Sequence, residues 1–145
     1  MSNFYVIATP IGNMEDITLR AIRILGEVDL ILCEDTRMTQ KILNKYEIKK
    51  ATMSYHAQSK IGKIDKIFDL LEEGKNIALV SDAGTPGISD PRALLVSQIK
   101  EKFNDEVKII PIPGATALIA ALSACGLPIH EFTFLGFLPH KKGRE

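Results

Sequence analysis

The stretch Val80-Ser81-Asp82-Ala83-Gly84-Thr85-Pro86-Gly87-Ile88-Ser89-Asp90-Pro91 decides how the rest of the chain reads. It follows the apolar run Ile77 to Val80, which reads as a buried strand, and its end opens a helix. Asp90-Pro91 is a helix start, an acceptor side chain at the cap followed by proline at the first helical position. The residues before it still form a longer connection than the roughly 2–6 residues usual in βα units. Glycines let backbone amides and carbonyls approach a ligand, and prolines hold a loop in shape before the ligand arrives. Such a loop at the carboxyl end of a central parallel strand is where open α/β sheets bind ligands. A long structural turn is the competing reading.

Outward from this loop the chain alternates short apolar runs with helical patterns. Phe4 to Ala8 is the first strand. A turn, Thr9 to Asn13, leads to a helix capped by Asp16 or Thr18, with Ile17, Ala21, Ile24 and Leu25 at helical spacing and Gly26 as its stop. Val28 to Cys33 is the second strand. Asp35 or Thr36 caps a helix to about Tyr46 that buries Met38, Ile42 and Leu43. Ala51 to Tyr55 is a short third strand, and Ser59 caps a helix with the stripe Ile64, Ile67, Phe68 and Leu71, ended by Gly74. After the central loop, a helix from Pro91 to about Phe103 turns Leu94, Leu95 and Ile99 inward. Val107 to Ile110 is the fifth strand, and Pro111-Ile112-Pro113-Gly114 opens a last helix of small residues. There Ala120 and Ala121 read as tightly packed core, whereas Thr116 and Ala117, in the first turn, have free amides nearby to offer a ligand.

This alternation predicts an α/β fold: an open, mainly parallel five-stranded sheet with helices on both faces and all βα loops on one edge. Phe132 to Pro139 reads as a further strand after a linker. Residues 1–126 are thus expected to form one α/β domain. Residues 127–145 are expected to be a linker and the first strand of a second, truncated domain.

The composition excludes several classes. Of 145 residues, 46% are hydrophobic and 25% charged, with eighteen basic against eighteen acidic side chains. A net charge of zero gives no global attraction to nucleic acid, although a local basic patch is compatible with it. No apolar stretch approaches a membrane span and no signal peptide pattern opens the chain, so a cytoplasmic location is expected. Two cysteines make no disulfide framework, and both Cys33 and Cys125 read as small buried residues. No histidine–cysteine cluster suggests a metal. The first loop lacks the three-glycine dinucleotide fingerprint, and no P-loop motif occurs.

Glu34-Asp35-Thr36-Arg37 follows the second strand on the same edge as the central loop, where it could bind a cation or orient a hydroxyl. As single residues they read instead as a cap, a solvated strand end and a surface charge. Tyr55 and His56 carry a weaker signal. Lys141, Lys142 and Arg144 in the tail could contact phosphate.

Taken together, Ala8-Thr9-Pro10-Ile11-Gly12-Asn13, Glu34-Asp35-Thr36-Arg37, the central loop, Pro111-Ile112-Pro113-Gly114-Ala115 and Gly136-Phe137-Leu138-Pro139 resemble, in order, the ribosomal RNA small subunit methyltransferase I family. That family belongs to the tetrapyrrole methylase superfamily. The resemblance covers essentially the whole chain and implies a two-domain enzyme, dimeric, that uses S-adenosyl-L-methionine. Its expected reaction is methylation of a cytidine 2′-hydroxyl in the decoding region of 16S ribosomal RNA. Two departures stand out. The wider superfamily has Gly-Asp-Pro in the central loop, where this chain has Gly84-Thr85-Pro86 with Asp82 slightly earlier, as in the RNA branch. After His56 the branch carries an acidic residue and a further histidine with asparagine, whereas this chain has Ala57-Gln58-Ser59.

On that reading Ser81, Gly84, Thr85, Pro86, Ile88, Pro113, Thr116 and Ala117 are candidate cofactor-binding residues. Pro10 and Gly12 join them, shaping the cleft near the substrate. Glu34, Asp35, Arg37 and Asp82 are the candidate catalytic residues, the first three facing the RNA or its reacting ribose and Asp82 a further carboxylate on the same edge, and no metal is implied. With half of the cleft missing, the 145-residue chain is expected to fold without being active. The alternatives are a tetrapyrrole-precursor methyltransferase, or a non-catalytic RNA-binding or ribosome-assembly module.

Overall fold

A computed structural model of the protein describes residues 1–56 and 61–137. Five strands, β1 (Ser2–Ile7), β2 (Leu30–Cys33), β3 (Thr52–Ser54), β4 (Ile77–Val80) and β5 (Val107–Ile112), form one sheet in the order β3-β2-β4-β1-β5. Every pairing is parallel. β4 lies at the centre, with Phe4 of β1 and Leu30 of β2 both opposite its Ile77. All four of its residues are buried, as a strand covered on both faces requires. The five-stranded α/β architecture expected from the alternation is therefore present.

The helices are α1 (Leu19–Glu27), α2 (Thr36–Lys45), α3 (Ile61–Glu72), α4 (Ala93–Phe103) and α5 (Ala117–Ala124). Alternate strand residues feed two separate cores. Ile31, Cys33, Ala78 and Val80 pack with Ala21, Leu25, Ile42 and Leu43 of α1 and α2. Leu32, Ile77 and Leu79 pack on the other face with Ile67 and Leu71 of α3 and Leu95, Ile99 and Phe103 of α4. Thr18 caps α1, its hydroxyl accepting the Ala21 amide at 3.0 Å, and Asp35 caps α2. Gly74, at φ +82°, ends α3 with its own amide on the Leu71 carbonyl and the Lys75 amide on the Leu70 carbonyl.

Several expectations change. Gly26 does not stop α1, which runs through Glu27 and closes with the Val28 amide on the Ile24 carbonyl, so β2 starts at Leu30. α2 buries Thr39 rather than Met38, and Leu94 of α4 is exposed while Phe103 is buried. β5 continues to Ile112 because an edge strand tolerates Pro111, which has no amide to pair. α5 buries none of its residues, so Ala120 and Ala121 are not core, and Cys125 is exposed. Residues 131–137 form no strand; they pair with no neighbour, and a strand lacks its ladder without one. Leu138, Pro139, Lys141, Lys142, Arg144 and the stretch Ala57-Gln58-Ser59 lie outside the described residues. No described helix is long and apolar enough to cross a membrane.

Candidate functional site

β2 and β4 are neighbours whose connections leave in opposite directions, α2 toward one face and α4 toward the other. Divergence of this kind opens a crevice at the carboxyl edge of the sheet. A cleft of about 630 Å³ lies there, walled by Glu34 after β2, Tyr55 and His56 after β3, and residues of the central loop after β4. Phe137, from the C-terminal segment, also borders it. The two walls are tied together: the Asp35 amide donates to Asp82 Oδ1 at 3.1 Å.

Arg92 forms the floor, and sequence reasoning missed it. Its guanidinium is only 6% exposed and donates through Nε to both Asp90 oxygens at 2.9 Å and through Nη1 to the Val80 carbonyl at 3.0 Å. Nη2 lies 2.7 Å from Asp90 Oδ2 and 3.3 Å from Glu34 Oε2. One buried cation thus joins the end of β4, the start of α4 and the β2 loop. Burial alone would push the Asp90 carboxyl up. The Arg92 side-chain bonds and the Arg92 and Gly87 amides outweigh this and hold it below the usual carboxylate range. The legible signal was an Asp-X-Arg step, which this chain uses twice. In the other copy, Asp35 accepts the Arg37 amide and bonds the Arg37 guanidinium at 2.7 to 3.2 Å. Those bonds, with Arg37 the largest contributor, pull the Asp35 carboxyl down to about 2.

Next to the cleft, the loops after β1, β4 and β5 are lashed together. Thr9 and Gly84 exchange backbone hydrogen bonds at 2.9 and 3.0 Å, and the buried Thr9 hydroxyl donates to the Ser81 carbonyl at 2.9 Å. Ser81 Oγ donates in turn to the Gly84 carbonyl at 2.9 Å. Gly84 sits at φ +76°, which an L side chain adopts only with strain. Gly114 approaches β1 so closely that a Cβ there would lie 2.8 Å from Ala8 Cβ. The Thr116 side chain does not cap α5, so the first-turn amides keep their capacity to donate.

Among the candidate residues, Glu34, Asp82, Ser81, Thr85 and Ile88 line the cleft. Asp35 borders it through its amide, while Arg37 points to solvent, paired with Asp35. Pro10, Gly12, Gly84, Pro86, Pro113, Thr116 and Ala117 do not line it; Gly84 and Gly114 mark where this second group meets, around the β1–β4–β5 lashing. Among the described residues no set of histidine, cysteine or carboxylate side chains is arranged to hold a metal.

The family model for tetrapyrrole (corrin/porphyrin) methylases matches residues 3–144. The chain belongs to the tetrapyrrole methylase family. Within the family it is 53% identical over 139 residues to the ribosomal RNA small subunit methyltransferase I of Halalkalibacterium halodurans, covering 95% of this chain and 47% of that one. It is 47% identical to the protein of the same name from Thermotoga maritima, covering 100% of this chain and 64% of the relative. This tetrapyrrole methylase chain therefore spans about half to two thirds of the length of these relatives. Its fold also matches a cobalamin synthesis related protein from Corynebacterium diphtheriae, at TM-score 0.67 and 18% identity, over 90% of this chain and 60% of that one. A uroporphyrin-III-C-methyltransferase from Thermus thermophilus matches at TM-score 0.62 and 22% identity, over 89% and 54%. At such identities the likeness concerns the fold alone.

Proposed function

We propose that this chain forms one wall of an S-adenosylmethionine-dependent methyltransferase acting on a cytidine 2′-hydroxyl in the decoding region of 16S ribosomal RNA. Residues 1–126 form the first domain, residues 127–145 lead into a second one, and the active protein is a homodimer that meets the small ribosomal subunit. The observation that carries the reading is the cleft between the diverging β2 and β4 loops, lined by Glu34 and Asp82 and floored by the Arg92–Asp90 pair. The identity of 53% to a protein named as a ribosomal RNA small subunit methyltransferase, against 18% and 22% to the corrin and porphyrin proteins, supports an RNA substrate over a tetrapyrrole.

The residues present suit the cofactor. The uncapped start of α5 leaves backbone amides open to a flat, polar molecule, and Gly84, whose own amide and carbonyl are engaged by Thr9, gives such a molecule a surface with no side chain in the way. Gly84, Thr85, Pro113, Thr116 and Ala117 would hold it, with Pro10, Gly12, Ser81, Pro86 and Ile88 shaping the surroundings. When bound, it supplies a methyl group on a sulfonium, a good leaving group for in-line displacement. A ribose hydroxyl is a weak nucleophile, so its proton must be drawn away as the new C–O bond forms. Glu34, half exposed, and Asp82 both line the cleft and would be the acceptors for that proton. Asp35 and Arg37 flank them at the rim, toward the RNA.

The test joins residues 1–145 to the remaining C-terminal part of the Thermotoga maritima relative. The folded chimera is expected to transfer labelled methyl from S-adenosylmethionine to small subunits, at a cytidine 2′-oxygen. Glu34→Gln or Asp82→Asn should lower the rate about 10²-fold if the residue draws the proton. A folded chimera without transfer, beside an active relative, would overturn the reading. RNA binding without cofactor binding by calorimetry would favour an RNA-binding module, and methylation of a porphyrinogen a tetrapyrrole enzyme.

A further inference from the structure

The chain is neutral overall, yet its basic residues are not evenly spread. Residues 36–50, which contain α2, hold five basic side chains, Arg37, Lys41, Lys45, Lys49 and Lys50, against one acidic, Glu47. On the opposite face of the sheet, residues 61–76 and 93–106 with α3 and α4 hold five basic against seven acidic. Arg37, Lys41 and Lys45 fall at steps of four along one exposed side of α2, opposite the buried Thr39, Ile42 and Leu43. Such a step advances about 6 Å and turns about 40°, so the three form a gently winding row. The row starts at the cleft rim, because the α2 cap Asp35 donates its amide to Asp82 on the cleft wall.

The row is also electrostatically available. On the α3–α4 face Lys102 is paired with Glu72 at 2.8 Å, and Lys63 donates to the Ser54 carbonyl at 2.7 Å. By contrast, Lys41 lies 3.6 Å from the Met38 sulfur and Lys45 lies 6.0 Å from the centre of the Tyr46 ring, and neither is in an ion pair among the described residues. Arg37 is neutralised by Asp35, which leaves the two lysines as the charge that a polyanion would find.

We propose that the exposed side of α2, through Lys41 and Lys45, is a track for the RNA phosphate backbone that leads a strand to the cleft rim. The proposal rests on the ribosomal RNA reading above and adds the surface that docks it. Lysines at this spacing contact phosphates without reading bases, so they position the strand and leave the choice of nucleotide to the cleft. They also make binding salt-dependent through counterion release.

The experiment measures anisotropy of a fluorescein-labelled single-stranded RNA with the 145-residue chain across a salt series. Lys41→Gln/Lys45→Gln is compared with Lys66→Gln/Lys100→Gln, exposed lysines of α3 and α4, after both are checked for an unchanged unfolding midpoint. The α2 pair is expected to weaken binding about tenfold at low salt and to flatten the log–log salt slope by about 1.4, the value for two lost phosphate contacts on a single strand. The α3–α4 pair should leave both unchanged. Equal losses in the two variants, no RNA binding by the parent chain, or binding to phosphatidylserine vesicles in place of RNA would overturn the proposal. In the chimera, calorimetric titration of S-adenosylmethionine reads the methyltransferase reading separately, since Lys41 and Lys45 lie outside its site.

Discussion

Asp35 and Asp90 each accept the amide of the arginine two residues on, Arg37 at 2.8 Å and Arg92 at 2.9 Å, and each holds that arginine's guanidinium. The local chemistry is the same, yet the Arg37 side chain is 87% exposed and that of Arg92 is 6% exposed. The exposed pair is worth little to stability, but it lowers the Asp35 pKa to about 2 from 3.8. A folded pKa below the unfolded one contributes stability above the unfolded value, lost as pH falls toward the folded one. An NMR titration of the carboxyl carbons should find Asp35 near 2, and Arg37→Ala should return it toward 3.8. Asp90 is shifted the same way, so its contribution is likewise lost in acid as its carboxylate takes up a proton. Arg92→Met would leave the Asp90 carboxylate, whose side chain is only 12% exposed, without its cation, and breaking one side of such a pair costs about 3 kcal/mol. Urea unfolding should show that loss; a change within about 0.5 kcal/mol, the size of an ordinary surface substitution, would mean that the pair does not hold the cleft floor.

At the scale of elements, caps and stripes were legible because their causes are local. Thr18 stands three residues before the amide it accepts, and Thr18→Ala should cost about 1 kcal/mol by thermal or urea unfolding. Asp35, Gly74 and the stripe of Ile67 and Leu71 behave as their spacing predicts. The misplaced expectations share one cause. Met38, Leu94, Ala120 and Ala121 have apolar side chains at helical spacing, but burial depends on what lies opposite a helix face. α5 is apolar except for Ser123 and none of its residues is fully buried, so its periodicity carries no inward direction. Gly26 failed as a stop because a helix absorbs one glycine for about 1 kcal/mol when Ile24 and Leu25 are anchored in the core beside it.

For the molecule as a whole, the carboxyl edge is one connected object, with the β1 and β4 loops sharing hydrogen bonds across some seventy residues of sequence. Thr9→Val keeps the shape but leaves the buried Ser81 carbonyl without its donor, at a cost of roughly 1 kcal/mol. Hydrogen exchange of the Gly84 amide, bonded to the Thr9 carbonyl, should quicken accordingly. Unchanged exchange would mean that the two loops are not coupled. The five strands and five α-helices of residues 1–126, the parallel sheet and the edge that gathers the loops were determined by sequence alone, because hydrophobic period, caps and turn residues act over a few positions; the further strand expected after residue 131 was not, since a strand needs a neighbour to pair with. The order β3-β2-β4-β1-β5, the cleft between β2 and β4, and the burial of Arg92 rather than Arg37 were decided only by tertiary structure. Each depends on which distant segment comes to lie alongside, and a charge beside Asp90 is buried only because β4, α4 and the Glu34 loop close around it.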